Sequence, residues 1–277
     1  MDSLPGCAAV KDDFRPLLMG ILNVTPDSFF DGGRYNSPDL ALKRAMQIVE
    51  EGADIIDIGG ESTRPGSDPV PAQEEIDRVC PVIEAIRRET SLPISVDTTK
   101  ASVAEESLRL GASMVNDISG GVFDPGILDV AARYGSDIVL MHTKGEPGAM
   151  QCNPEYADLL GEIRDYLADS VKAALASGIS PEKIILDPGL GFGKTLEDNY
   201  RILKNLAEFK KNGYRLLIGL SRKSMIGKLY CGEDDRLPAT IALNTIALQN
   251  GADIIRVHDV RAHRLAMTAI YKLHEVS

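Results

Sequence analysis

The chain has 277 residues, 44% of them hydrophobic and 26% charged, with 30 Lys and Arg against 41 Asp and Glu for a formal net charge of −11. That length suits one large α/β barrel or two smaller domains, and the acidic balance disfavours the extended basic face that nucleic acid or an anionic membrane surface requires. No apolar run approaches the roughly 20 residues of a membrane-spanning helix, and the scattered Cys7, Cys80, Cys152 and Cys231 form no C-x-x-C pair, so neither a zinc site nor a disulfide framework is indicated and a cytoplasmic home is expected.

Residues 1–16 have no basic start followed by an apolar stretch, so they read as a tail before a single domain over 17–277. From there the chain alternates short β-rich runs with helical stretches. The runs are LLMGILNV (17–24), DIIDIGG (54–60), ISVDT (94–98), SMVNDIS (113–119), DIVLMH (137–142), KIILDPG (183–189), LLIGLS (216–221) and DIIRVHD (253–259). Between them lie amphipathic segments such as SPDLALKRAMQIVEEG, where Ser37 can cap, Pro38 suits the first helical position and Gly52 ends the helix. One joint recurs three times, as EEG-ADIID, RLG-ASMVND and QNG-ADIIRV. Eight β-then-α units with no linker between them predict a (β/α)8 TIM barrel, with a doubly wound open sheet as the alternative.

Polar residues gather where the runs end: Asn23, Glu61, Asp97, Asn116, His142, Asp187, Ser221 and His258. Any one of them serves as a cap or turn residue elsewhere. In a barrel, however, all eight would share the C-terminal face, where active sites are assembled. Residues 25–37 and 62–70 are long for βα connections and would project over that mouth as lids or binding loops.

Two motifs are decoys. PGLGFGKT (188–195) has Pro188 where a phosphate loop needs its first Gly, and NVT (23–25) is a glycosylation triplet without a secretory signal. Asp97, Asn116 and Asp187 say more: two carboxylates and an amide aimed at one mouth match a flat, nitrogen-rich heterocycle, whose adjacent N–H and NH₂ donors a carboxylate accepts together. Against them stand Arg64, Lys223, Arg256 and His258. LSRKSMIG starts a helix after the seventh run, where Ser224 and backbone N–H groups suit an anion. Arg256 and His258, two apart on one strand, point to the same side as a grip for a diphosphate.

Taken together, GILNVTPDSFFDGG, DIIDIGGESTRPGS, ISVDTTK, VNDISGG, ILDPGLGFGK, GLSRKSMIG and IIRVHDV resemble the dihydropteroate synthase family of the folate pathway, from Leu17 to Leu273. The resemblance implies condensation of p-aminobenzoate with 6-hydroxymethyl-7,8-dihydropterin diphosphate, assisted by Mg²⁺, in a homodimer. It implies that Asp97, Asn116, Asp187, Phe192 and Lys223 hold the pterin, and that Asn23, Arg256 and His258 hold the diphosphate, with Asn23 also on the metal. Phe29, Thr63, Arg64, Pro65 and Ser224 would form the p-aminobenzoate site, and Asp31 with Asp97 would stabilise a pterin cation. The chain departs from the family pattern at Thr143, Ala149 and Phe30, the last expected to narrow the p-aminobenzoate entrance and alter sulfonamide binding. Alternative readings are a methyltetrahydrofolate-dependent corrinoid methyltransferase on the same barrel, which has no use for ESTRPG or a diphosphate grip, and a catalytically silent pterin-binding paralogue, which would have lost SRK or the first loop.

Overall fold

The structure, a computed structural model, describes residues 15–25, 38–62, 68–145, 154–229 and 235–275. Its strands are β1 (Leu17–Asn23), β2 (Ile55–Gly59), β3 (Ile94–Asp97), β4 (Met114–Asp117), β5 (Asp137–Met141), β6 (Ile184–Asp187), β7 (Arg215–Ile218) and β8 (Ile254–Val257). All are parallel and close in sequence order into one barrel, β8 pairing back onto β1, so the barrel reading holds and the open sheet is excluded. Helices α1 (Pro38–Glu50), α2 (Ala72–Glu89), α3 (Ala101–Arg109), α4 (Gly126–Tyr134), α5 (Leu159–Ala176) and α6 (Leu196–Lys204) follow the first six strands in turn. After β7 come a four-residue turn of helix, α7 (Ser224–Gly227), and α8 (Leu237–Gln249); α9 (Val260–Glu275) follows β8.

The recurring helix-Gly-strand joint is a single physical device. Gly52, Gly111 and Gly251 all adopt left-handed backbone, with φ of 96°, 108° and 102°, which glycine adopts without the penalty a Cβ imposes. The next residue then donates back into the helix, Ala53 to the Ile48 carbonyl (3.1 Å), Ala112 to Ser107 (3.0 Å) and Ala252 to Ala247 (3.0 Å). Two of the joints add a carboxylate. Asp54 accepts from the Leu18 N–H (2.8 Å) and Asp253 from the Leu216 N–H (2.6 Å), each pinning the strand that follows the joint to a neighbour.

The side-chain period of two divides the barrel. One set of strand residues, including Leu18, Ile56, Ile58, Val96 and Ile255, packs outward on the helices in the main core. The other fills the lumen with Met19, Ile55, Met114, Val139, Ile185, Leu217 and Ile254. Two residues further along the same strands the inner face turns polar: Asp57, Asn116, Asp187 and Arg256 follow Ile55, Met114, Ile185 and Ile254. The apolar layer is therefore the floor beneath a polar mouth. No described helix is long and apolar enough to cross a membrane.

Candidate active site

The structure brings the inner-face residues together as the sequence predicts. Asp97 and Asn116 pair in register across β3 and β4, and Asp187 ends β6 beside Met141. All three are nearly buried. Asp187 Oδ1 accepts the Gly189 N–H at 2.7 Å, which fixes the carboxylate and leaves Oδ2 as an acceptor. Burial raises its pKa above the ordinary carboxylate range, with Lys223 acting against the shift.

The cations do not merely face the carboxylates. Arg256 donates from Nη2 to Asp97 Oδ2 (2.6 Å) and from Nε to Asp57 Oδ2 (2.6 Å). Burial raises the Asp97 carboxyl to about 7, Arg256 opposing and Asp57, Glu75 and Asp117 adding to the rise. Burial alone would weaken the hold of Arg256 on its proton, but Asp57 and Asp97 more than offset it and keep the guanidinium charged. Asp57 is fully buried. Sequence reasoning missed it because it lies one inner-face step below the strand end; only the parity of DIIDIGG, which turns an acid inward after Ile55, signals it.

Lys223 reaches the Leu190 carbonyl and lies over the Phe192 ring, 4.4 Å from its centroid. Burial lowers its pKa to about 8, Asp187 acting against the shift and Arg256 with it. Phe192 packs with Ile118 and Met141 as an apolar patch at the mouth. The loop that carries it is shaped by its glycines. Gly189 has φ 70° and Gly193 φ 61°, and a Cβ would stand 1.9 Å from the His142 carbonyl oxygen at the first and 2.4 Å from that of Lys144 at the second. Lys194 bolts this loop down, its buried amine donating to the Phe192 carbonyl (2.9 Å) and lying 2.9 Å from His142 Nδ1. Burial lowers the Lys194 pKa well below the ordinary lysine value and, with Lys194 adding, lowers the His142 imidazole to about 3. The strand-end His142 is thus a packing partner of that loop rather than a substrate group.

His258 stands just past β8, with Nδ1 3.1 Å from Ser221 Oγ. The same hydroxyl accepts the His258 backbone N–H (3.2 Å), so Ser221 fixes the ring at both its backbone and its Nδ1 side. Arg44 of α1 caps the His258 carbonyl at 3.3 Å. Asn23 ends β1, between β8 and β2, and lines a cavity of about 450 Å³ with Lys43, Arg44 and Gln47.

Two sequence expectations need correction in detail. The helix after LSRK is four residues long, too short for a substantial dipole; its exposed Ser224 and backbone N–H groups, not a helix field, are what it offers an anion. Glu61 does not face the lumen chemistry but binds Lys100, which also holds the buried Glu75 at 2.6 Å. Arg222 adopts left-handed backbone, φ 58°, and binds Asp259 through Nε at 2.9 Å. Thr143 donates to the Gly145 carbonyl at 3.2 Å. Phe29, Phe30, Asp31, Thr63, Arg64, Pro65 and Ala149 lie outside the described residues.

Residues 19–258 match the family of pterin binding enzymes. A dihydropteroate synthase of Synechocystis sp. is 51% identical over 250 residues, 90% of this chain and 86% of that protein. The Xanthomonas albilineans dihydropteroate synthase with 4-aminobenzoic acid superposes with a TM-score of 0.89 at 42% identity, covering 95% of this chain and 94% of that one. The X. albilineans enzyme in complex with 7,8-dihydropteroate gives 0.85 at 39% identity, covering 95% of each chain.

Proposed function

The chain belongs to the pterin-binding enzymes, within them to the dihydropteroate synthases, and from that premise we propose how its mouth divides the work among its residues. The reaction joins p-aminobenzoate to 6-hydroxymethyl-7,8-dihydropterin diphosphate, giving 7,8-dihydropteroate and diphosphate. The observation that carries the division is the polar layer of Asp97, Asn116, Asp187, Lys223 and Arg256 standing directly on an apolar barrel floor.

The pterin enters edge-first. Asp187 and Asp97 accept its ring N–H and NH₂ donors, Asn116 serves a neighbouring edge, and Lys223 donates to a ring acceptor while Phe192 walls the pocket. His258 and Asn23 receive the diphosphate at the rim, and Arg256, held lower by Asp57 and Asp97, meets it from beneath with its remaining N–H groups. Ser221, against Nδ1 and the backbone N–H, sets the plane in which the His258 ring meets a phosphate oxygen. When the C–O bond to diphosphate breaks, the electron pair leaves with the phosphate and a cation spreads into the electron-rich pterin. Asp97 and Asp31 stabilise that charge. The aniline nitrogen then bonds to the exocyclic carbon and loses a proton, so no protein nucleophile is required. Ser224, with Phe29, Thr63, Arg64 and Pro65, seats the p-aminobenzoate.

The donor set suits Mg²⁺ rather than a softer metal. Among the described residues no group of three His, Cys, Asp or Glu side chains is placed to hold an ion, whereas Mg²⁺ commonly keeps its waters and takes one or two protein oxygens plus substrate phosphates. Asn23 supplies such an oxygen at the mouth. When bound, the ion neutralises charge on the diphosphate leaving group.

A homodimer is supported by α8, which carries no charged residue from Leu237 to Gln249 yet leaves Ile246 43% exposed. Residence in the cytoplasm fits the buried free thiol of Cys80. The silent-paralogue reading gains no support, since Ser221, Arg222 and Lys223 are all in place. The test is direct: purified protein with the dihydropterin diphosphate, labelled p-aminobenzoate and Mg²⁺ is expected to form labelled dihydropteroate. No product across a range of pH and metal concentration would contradict the reading.

A further inference from the structure

Asp57 is a buried acid that the chemistry above leaves without a task. It sits on the inner face of β2, fully buried, and its Oδ2 receives Arg256 Nε at 2.6 Å. The same oxygen lies 3.4 Å from Asn116 Nδ2, and Oδ1 has no hydrogen-bond partner. Through Nη2, Arg256 simultaneously holds Asp97 Oδ2 at 2.6 Å. One guanidinium therefore joins two carboxylates at different depths, for it is Gly59, two residues beyond Asp57, that pairs in register with Asp97. Gly59 also keeps the space above Asp57 free of a side chain; a Cβ there would lie 3.5 Å from Asp97 Cβ.

The double contact solves a problem that substrate binding creates. If the pterin is to donate to both oxygens of Asp97, it must share Oδ2 with Arg256 or displace it. A buried guanidinium stripped of its only counter-charge is strongly destabilised, so with Asp97 as sole partner the exchange would run uphill. Without a second acid, Arg256 would also tend to close on Asp97 in a two-point fork that occupies both oxygens. Asp57 prevents both outcomes. It retains Nε throughout, and its unpartnered Oδ1 is an acceptor to which a displaced N–H can turn. Its charge also selects the NH₂ end of the Asn116 amide, leaving the carbonyl end for a substrate donor.

We infer that Asp57 is a positioning residue of the synthase, anchoring Arg256 low in the barrel so that Asp97 is released to the dihydropterin, and setting the Asn116 amide. This rests on the pterin reading of the mouth. Asp57→Asn keeps the shape and removes the charge. Wild type and variant, assayed side by side with each substrate varied in turn, are expected to differ about tenfold or more in KM for the dihydropterin diphosphate. The KM for p-aminobenzoate should stay within about twofold and kcat within about threefold. An unchanged pterin KM, or both KM values rising together, would overturn the inference. Should the variant fail to fold, the wild-type protein labelled with ¹⁵N-arginine answers the same question. The Arg256 Nε–H signal, assigned by its loss in Arg256→Lys, is expected to stay protected from solvent exchange both free and in complex with the dihydropterin diphosphate. Loss of that protection on binding would overturn the inference. No turnover by the wild type would strike instead at the pterin reading itself.

Discussion

Asp97 and Lys223 carry opposite charges at the pterin seat, and burial drives their titrations toward each other, Asp97 up to about 7 and Lys223 down to about 8. Asp97 accepts two donors only when ionised, so pterin capture strengthens as pH rises through about 7. It weakens again as Lys223 loses its proton above about 8. The profile of kcat/KM for the dihydropterin diphosphate is expected to be a narrow bell between those limits, measured from pH 5.5 to 9.5; a flat profile would contradict the placement of both groups. Ser221→Ala removes the hydroxyl that holds His258 Nδ1. It is expected to raise KM for the same substrate about five- to tenfold, the effect of roughly 1 kcal/mol, with KM for p-aminobenzoate unmoved. Residues at this scale were legible in the sequence when they closed a strand with a polar side chain after apolar ones, as Asp97, Asn116 and Asp187 do. Asp57 and Lys194 were not, because an acid inside a strand and a lysine in a glycine-rich loop announce nothing until the partner across the barrel is known.

Among the elements, the loop from Asp187 to Lys194 is the one whose sequence is most tightly dictated by what it touches. Gly189 and Gly193 are required by backbone just after β5 and Gly191 by the Lys223 side chain, the rear of the loop is fixed by Lys194 and His142, and its front presents Phe192 beneath the Lys223 amine. Gly189→Ala would combine a strained φ of 70° with a Cβ 1.9 Å from the His142 carbonyl oxygen. The loop must move, and with it the Gly189 N–H that fixes Asp187. Urea unfolding is expected to show a loss of about 3 kcal/mol together with weaker pterin binding; unchanged stability would mean that the loop is not seated as described. The strands and the helix-Gly joints were readable in advance because local rules govern them, apolar parity in the first case and the left-handed glycine in the second. The brevity of α7 was not, since its stop signal is the single Gly227, which a longer helix can also contain.

On the scale of the whole molecule, the alternation of eight units sufficed to give the closed barrel, because short parallel strands joined through helices have few other ways to bury both faces of a sheet. What the alternation left open was the outer surface. The face of α8 that carries Pro238, Ala242 and Ile246 is exposed, and nearby α9 exposes Leu265 at 67%. If this surface is the homodimer contact, Ile246→Glu is expected to shift sedimentation from dimer to monomer while preserving the fold; a variant that remains dimeric would move the contact elsewhere. The central claim concerns the mouth rather than the surface: the pterin is held by carboxylates standing on the barrel floor. Calorimetric titration of the dihydropterin diphosphate into wild type and Asp187→Asn tests it most directly. Binding to the variant is expected to be roughly ten- to hundredfold weaker, as follows from about 1–3 kcal/mol for a mispaired buried donor, and equal affinity for the two proteins would contradict it.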